Sequence, residues 1–183
     1  MKKNVLYSVA LILLCILFIR AFIIKPEKEK IFDYVIQNEE LILQCIDEIN
    51  DLSSAVPLNY GESIVNVEKS SIRIKGLFGH RDVELTRKAV AKIVTEDPVK
   101  FIGIEQEIII FDCGGKGIAP SSQNYAFYYS PAGAPYAVFD GVVVCNTTQM
   151  KSKGNGFEYI DDRGNIFYTE RIKDNFYFCK ASF

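Results

Sequence analysis

The sequence lacks most of the patterns that identify an enzyme. Among its 183 residues there is no tryptophan and a single histidine, His80. A serine or cysteine nucleophile activated by histidine would have to use it, and the candidate partners are Cys113, Ser121 and Ser122. No GxSxG motif is present, and the stretch GGKG at 114–117 lacks the spacing and the following Ser or Thr of a P-loop. The sequence therefore predicts no catalytic residue, and the glycines predict a turn.

Basic residues are scarce. Residues 31–183 carry 15 Lys and Arg against 21 Asp and Glu, which leaves this part of the chain with a net charge near −6. A nucleic-acid partner is excluded, because such binding needs a basic face. The same charge argues against the domain lying flat on anionic lipid. No internal repeat or low-complexity run is visible, so we expect a folded single domain.

Cysteine motifs are also missing. Of five cysteines, Cys15 lies in an apolar run near the amino terminus, and none of the others forms a CxxC pair, which disfavours a zinc site. Two interpretations stay open for Cys45, Cys113, Cys145 and Cys179. In an oxidising compartment they allow three disulfide connectivities. They are otherwise small buried apolar side chains, which is the favoured interpretation because nothing in the sequence proves an oxidising exterior.

Oxygen ligands for a metal are present in one stretch. Asp161, Asp162 and Asn165, together with Asp140, could hold calcium. The order DDRGN lacks the alternating acidic positions of an EF-hand loop and is typical of a reverse turn. We therefore predict no metal site and no cofactor.

What the chain does have is a long apolar run at residues 4–24, directly after Met1-Lys2-Lys3. Residues 5–24 contain one charge, Arg20. Twenty residues rising ~1.5 Å each span about 30 Å, the thickness of a bilayer's hydrocarbon core. Pro26 should end or kink such a helix. The run predicts a single-pass transmembrane anchor over residues 1–25.

A cleaved signal peptide is the alternative, but IRAFIIKPEKEK offers no small-x-small cleavage site. Orientation is ambiguous. Counting Arg20, Lys25, Lys28 and Lys30 places the second flank in the cytoplasm. A short basic amino terminus, followed by an apolar run and a long domain, is the layout of a signal-anchor. This layout favours an extracytoplasmic domain at the cell membrane. The reverse topology, with a cytosolic domain, stays open.

The first half of the remaining chain shows helical and hairpin patterns. Apolar residues at helical spacing predict an amphipathic helix from about 27 to 52, so that residues 26–52 join the anchor to a domain at 53–183. Alternation around Val65 and Ile72 predicts a hairpin. Residues 76–80 are expected to form a loop, and Asp82 to cap a second helix that ends near Thr95.

The second half shows extended patterns. Residues 101–113 predict one long strand, and NYAFYYS, YAVF and VVVC predict shorter strands, the last two broken at Asp140-Gly141. Residues 146–156 are expected to be a flexible polar loop. A hairpin flanks DDRGN, and NFYFCKASF should lie inside the sheet or under a helix. Helices before strands predict an α+β fold, with two helices packed on a mostly antiparallel sheet and a carboxy-terminal antiparallel meander.

Tyrosines flank the turn SPAGAP at 130–135. They are either core residues or an exposed rim that binds a peptide, a glycan or another partner. Alternation lets only one of Tyr128 and Tyr129 face inward. The candidate binding residues are therefore Tyr128, Tyr129 and Tyr136.

The segments CGGKGIAPSSQNYAFYYSPAGAPYAVFDG and GNIFYTERIKDNFYFCKASF resemble a family of small, uncharacterised single-pass proteins of Gram-positive bacteria. The motifs CGG…YYSP and YTERI…F, with the anchor layout, carry the resemblance, which covers roughly the last 75 residues. It implies a bacterial source and a membrane anchor, and it transfers no functional residue because the family has no established activity.

Two functional hypotheses follow. In the first, a membrane-tethered, non-enzymatic module binds a protein or envelope component through its tyrosine-rich segment. In the second, a membrane-anchored hydrolase or thiol enzyme uses His80 and Cys113.

Overall fold

The computed structural model describes residues 27–55, 63–68, 71–76, 79–84, 88–105, 107–117 and 122–183. The predicted anchor at residues 1–25 lies outside these ranges. Among the described helices, none has the length and apolar character needed to cross a membrane.

The described part of the chain begins with two helices, α1 (Glu27–Gln37) and α2 (Glu39–Ala55), which meet at Asn38. The backbone N–H of Asn38 donates to the carbonyl of Tyr34 at 3.0 Å, and the N–H of Ile42 donates to the carbonyl of Asn38 at 2.9 Å. The Asn38 side chain also donates to the Tyr34 carbonyl, the local competition that disfavours Asn inside helices. The single helix predicted over 27–52 is therefore two helices.

Three strands follow, β1 (Ser63–Glu68), β2 (Ser71–Gly76) and β3 (Gly79–Glu84), and then α3 (Lys88–Thr95). The predicted first hairpin is confirmed by the antiparallel pairing of β1 with β2. The loop expected at 76–80 and the helix cap expected at Asp82 are wrong, because His80 and Asp82 both lie in β3. Pairing of β3 with β2 outweighs the local capping signal of one aspartate.

The long strand predicted over 101–113 is also wrong. It is a hairpin of β4 (Phe101–Glu105) and β5 (Ile108–Lys116), in which Glu105 pairs directly with Ile108. A two-residue connection is enough to join antiparallel strands, and the polar residues between the two apolar runs supply it.

The second half of the chain is extended. Its strands are β6 (Gln123–Tyr129), β7 (Ala137–Phe139), β8 (Val142–Cys145), β9 (Lys151–Lys153), β10 (Gly156–Ile160), β11 (Ile166–Lys173) and β12 (Phe176–Ser182). The short strands around Asp140-Gly141 and the hairpin around DDRGN are confirmed. The loop expected at 146–156 instead contains a 3-10 turn, Thr147–Gln149, and β9.

Within the described ranges, ten strands form one sheet in the order β3-β2-β1-β4-β5-β6-β12-β11-β10-β9, and β7 and β8 form a separate ribbon. All the pairings are antiparallel. The carboxy-terminal strand β12 lies between β6 and β11, as predicted. The described chain is therefore α+β, with helices packed against a large antiparallel sheet.

The sheet has two covered faces, because successive side chains of a strand point to opposite sides. On the helix face, buried residues of α1, α2 and α3 pack against Phe111, Phe127 and Phe178. On the ribbon face, Val138 of β7 packs against Ile110 and Tyr128. The helices leave part of the helix face open beyond β12, where Ile160 is 55% exposed and Ile166 is 38% exposed.

Candidate functional site

The predicted tyrosines do not form one surface. Tyr128 is fully buried on the ribbon face, where its hydroxyl accepts the N–H of Tyr136 at 2.7 Å and lies 2.8 Å from Oγ1 of Thr169. Tyr136 is half-buried beside it. Tyr129 points to the helix face and packs against the ring of Phe176, with 5.4 Å between ring centroids. The full burial of Tyr128 is inconsistent with an exposed rim there, and binding by Tyr129 or Tyr136 stays a prediction.

His80 and Cys113 are not brought together. His80 lies in β3 at one edge of the sheet and Cys113 in β5, with β2, β1 and β4 between them. At ~4.8 Å per strand the two backbones are about 19 Å apart across the sheet, far beyond hydrogen-bond reach. Ser121 lies outside the described residues.

The described cysteines are free thiols, and none forms a disulfide with another. Burial, followed by the charge of Asp112, raises the pKa of the Cys113 thiol well above its ordinary value of 9.0. Burial likewise raises the pKa of Cys179 to about 12. Because the thiolate is the reactive form, neither environment activates a nucleophile at neutral pH.

The oxygen-rich stretch at 161–165 forms the predicted reverse turn. One carboxylate oxygen of Asp161 accepts the N–H groups of Arg163 and Asn165, both at 2.9 Å, and the other accepts the Asn165 side-chain amide at 2.8 Å. Within the described ranges, no three His, Cys, Asp or Glu side chains are placed to share a metal ion.

The stretch GGKG at 114–117 is not a turn as predicted but the bulged end of β5. The register with β6 shifts between Asp112 and Gly115. Gly114 takes a φ of +75°, a conformation that glycine tolerates and that is typical of a β-bulge.

A concave site lies on the open part of the helix face. It has a volume of about 500 Å³, and we call it the Lys180 groove. The amino-terminal turn of α1 forms one wall, and strands β6, β12, β11, β10 and β9 form the floor. Its lining residues are Glu27, Lys28, Tyr125, Lys153, Glu158, Ile166, Tyr168, Phe178, Lys180 and Ser182.

Strand register places Lys180 at the centre of this floor. Lys180 pairs with Tyr125 of β6 on one side and with Tyr168 of β11 on the other. The row continues through Glu158 of β10 to Lys151 of β9. Directly paired residues of an antiparallel sheet share a face, with their Cβ atoms about 5 Å apart. A lysine is thus held between two tyrosines.

Most charges around the groove are already paired. Lys28 of α1 donates to Glu170 of β11 at 2.5 Å, and the Tyr168 hydroxyl donates to the same carboxylate at 2.6 Å. Burial alone would raise the pKa of Glu170, but these two hydrogen bonds hold it below its ordinary value of 4.5. Lys153 forms an ion pair with Glu158.

The upper wall holds a second ion pair. Glu27 Oε1 lies 2.5 Å from the ammonium of Lys116 and 3.3 Å from that of Lys30. The hydrogen bond from Lys116 lowers the pKa of the Glu27 carboxyl. The Glu27 carboxylate of this wall is therefore already shared between two ammonium groups.

Lys180 differs from these lysines. It is half-buried, and across the described residues no carboxylate lies within 4.0 Å of its ammonium. The groove therefore presents one uncompensated positive charge between aromatic rings.

Gly156 fixes the tyrosine wall. A Cβ atom built at Gly156 would lie 2.9 Å from the phenol of Tyr168 and closer still to the carbonyl oxygen of Thr169. Only glycine lets this ring lie over β10, a known device for covering a glycine in a strand.

Sequence reasoning missed this site. The alternation of Phe176, Phe178, Lys180 and Ser182 on one face of β12 was a readable signal. The residues that flank Lys180 could not be predicted from the sequence, because β6 is distant in sequence from β12, with which it pairs. In comparisons with known proteins, no family model, curated protein or solved structure matches this chain.

Proposed function

We propose that this chain is a membrane-tethered α+β binding module whose Lys180 groove holds an anionic ligand. The observation that carries the proposal is Lys180 itself, half-buried between Tyr125 and Tyr168 with no carboxylate beside it in the described chain. An ammonium that has no carboxylate partner can bind an anion without first breaking an ion pair.

The other lysines of the groove could join such an anion. The side chain of Lys28 is 41% exposed and that of Lys153 is 58% exposed, although both are paired with glutamates. Each ammonium carries three N–H donors, so it can bind an anion while it keeps its glutamate. Up to three ammonium groups could then converge on one ligand.

The aromatic lining restricts the ligand further. Tyr125, Tyr168 and Phe178 give the groove large apolar surfaces next to the charge. Ligand sites typically combine such surfaces with a few placed polar groups. We therefore favour an anion attached to an apolar or ring-shaped body over a small free ion.

The membrane tether in this proposal is the apolar run at 4–24, and an extracytoplasmic domain of a single-pass bacterial protein remains our preferred topology. The alternative of a hydrolase or thiol enzyme using His80 and Cys113 has less support, because three strands separate the two residues and the Cys113 thiol stays protonated.

A calorimetric titration of the full chain in detergent micelles with inorganic tripolyphosphate tests the groove. The Lys180→Ala variant should bind at least about tenfold more weakly, since a hydrogen bond to a charged group contributes roughly 1.5–3 kcal/mol. The matched control is Lys92→Ala, which removes the same charge from an exposed position of α3. Equal affinities of wild type and Lys180→Ala would overturn the proposal.

A further inference from the structure

We infer that the anion bound by the Lys180 groove is the phosphate headgroup layer of the membrane in which the chain is anchored. This inference rests on the proposed function and names the ligand of the same site. Its chemical class is an anionic phospholipid, which has a phosphodiester and no cationic group in its headgroup. The open part of the helix face would then lie against the surface of the bilayer.

The position of the groove supports this ligand. Glu27, the first residue of α1, lines the groove, and so does Lys28. The apolar run ends at Ile24, three residues before Glu27. Three residues span at most about 11 Å even when fully extended. Wherever the run leaves the bilayer, the groove must therefore lie within or next to the headgroup region.

The apolar residues beside the groove support it too. Ile160 and Ile166 pair directly across β10 and β11, and they are 55% and 38% exposed. They occupy the row next to Lys180, on the same face of the sheet. An apolar pair beside lysines is the arrangement with which proteins enter the boundary between headgroups and acyl chains.

The negative charge of the domain is unevenly distributed, so it does not prevent the open face from contacting anionic lipid. The net negative charge of the domain argues against contact with anionic lipid, but the first two helices carry most of it. Residues 27–55 contain eight acidic and two basic residues. The open sheet face presents Lys151, Lys153 and Lys180 against one glutamate of the groove floor, Glu158, so its local charge is positive. Charges interact with a membrane surface only within about a Debye length, roughly 8 Å in physiological salt, so the local lysines decide the contact.

The absence of tryptophan from the sequence allows a direct test. One introduced tryptophan will report alone, so the full chain carrying Ile160→Trp is reconstituted in phosphatidylglycerol vesicles whose acyl chains are brominated near the headgroup. Bromine quenches tryptophan emission on contact. The matched control is Val144→Trp, an exposed apolar position on β8 of the ribbon. Ile166→Trp serves as a second reporter if Ile160→Trp does not fold.

The inference predicts a large loss of emission for Ile160→Trp in brominated relative to unbrominated vesicles, and little loss for Val144→Trp. Adding Lys153→Ala and Lys180→Ala should reduce the loss for Ile160→Trp. Equal losses at both positions, or no loss at Ile160→Trp, would overturn the inference. A blue-shifted Ile160→Trp emission without quenching would also overturn it, since protein would then cover the face, either the segment before Glu27 or a second copy.

The tripolyphosphate titration distinguishes failure of the membrane inference from failure of the proposed anion-binding function. If quenching fails while Lys180→Ala still weakens tripolyphosphate binding, the groove binds anions but not this membrane. If both fail, the proposed function is wrong as well.

Discussion

Two buried carboxyl groups, Glu170 and Asp112, have pKa values shifted in opposite directions. Glu170 is stabilised in its charged form by Lys28 and Tyr168. Asp112 is 2% exposed, and burial raises its pKa above the ordinary 3.8, although the N–H of Gly114 and the amide of Asn124 donate to it. No cation accompanies those donors in the described chain.

The two groups therefore predict opposite pH dependences. Glu170 has a folded pKa below its unfolded one, so its contribution is complete above 4.5 and is lost as the pH falls through the folded pKa. Asp112 has a folded pKa above 3.8, so stability declines as the pH rises from 3.8 through that higher value.

Urea unfolding of Glu170→Gln and Asp112→Asn across this range measures both effects. Relative to wild type, Glu170→Gln should lose less stability on acidification below 4.5. Asp112→Asn should gain on wild type as the pH rises above 3.8. Parallel pH curves for all three proteins would show that neither carboxylate has the assigned environment.

At the scale of elements, the groove depends on how β10 meets β11. Gly156 lies under the ring of Tyr168, and both belong to the floor strands. Local hairpins of this kind were predictable, because a turn signal and alternation on both sides occur in one short stretch. The hairpins at 63–76 and 156–173 were read correctly for that reason.

Other elements could not be read because their evidence is not local. Asp82 has the residue type of a helix cap, but it lies in a strand that pairs with β2. The residues next to Asp82 in the sequence do not predict that pairing. The apolar runs around Glu105 looked like one strand, since a two-residue polar connection resembles the exposed side of a continuous strand. The row through Tyr125, Lys180 and Tyr168 requires the distant pairing of β6 with β12. The α+β class was therefore predictable, and the groove was not.

Gly156→Ala tests the geometry of the groove. Overlap of the new methyl with the Thr169 carbonyl and the Tyr168 ring should cost about 1–3 kcal/mol and weaken tripolyphosphate binding. Gly154→Ala in the same hairpin is the control, because Gly154 has a φ of +59° and no atom near its Cβ position. That change should cost about 1–2 kcal/mol of backbone strain and leave affinity unchanged. If Gly156→Ala binds tripolyphosphate with unaltered affinity, the position of the Tyr168 ring does not contribute to ligand binding.

For the molecule as a whole, contact with a membrane surface requires a tether and a domain on a defined side of the membrane. Ser152 is exposed in the edge strand β9, whereas Cys45, Cys145 and Cys179 are buried and Cys113 is half-buried with a raised pKa. A cysteine introduced at Ser152 should therefore be the reactive thiol of the described chain.

Labelling of intact cells with a membrane-impermeant maleimide then determines the topology. Ser152→Cys should react in intact cells if the domain is extracytoplasmic, and wild type should give little signal. Reaction only after the cells are permeabilised would establish the reverse topology, with the domain on the cytosolic side.

We propose that the open face around Lys180 meets an anionic membrane surface. Amide NMR spectra of the full chain in nanodiscs of phosphatidylglycerol, compared with phosphatidylcholine, would detect that contact residue by residue. We predict that the lipid-dependent shifts concentrate at the first turn of α1 and in β10, β11 and β12, with Lys180 among the largest. Shifts confined to α2, α3 or the β7–β8 ribbon, or identical spectra in the two lipids, would contradict the account.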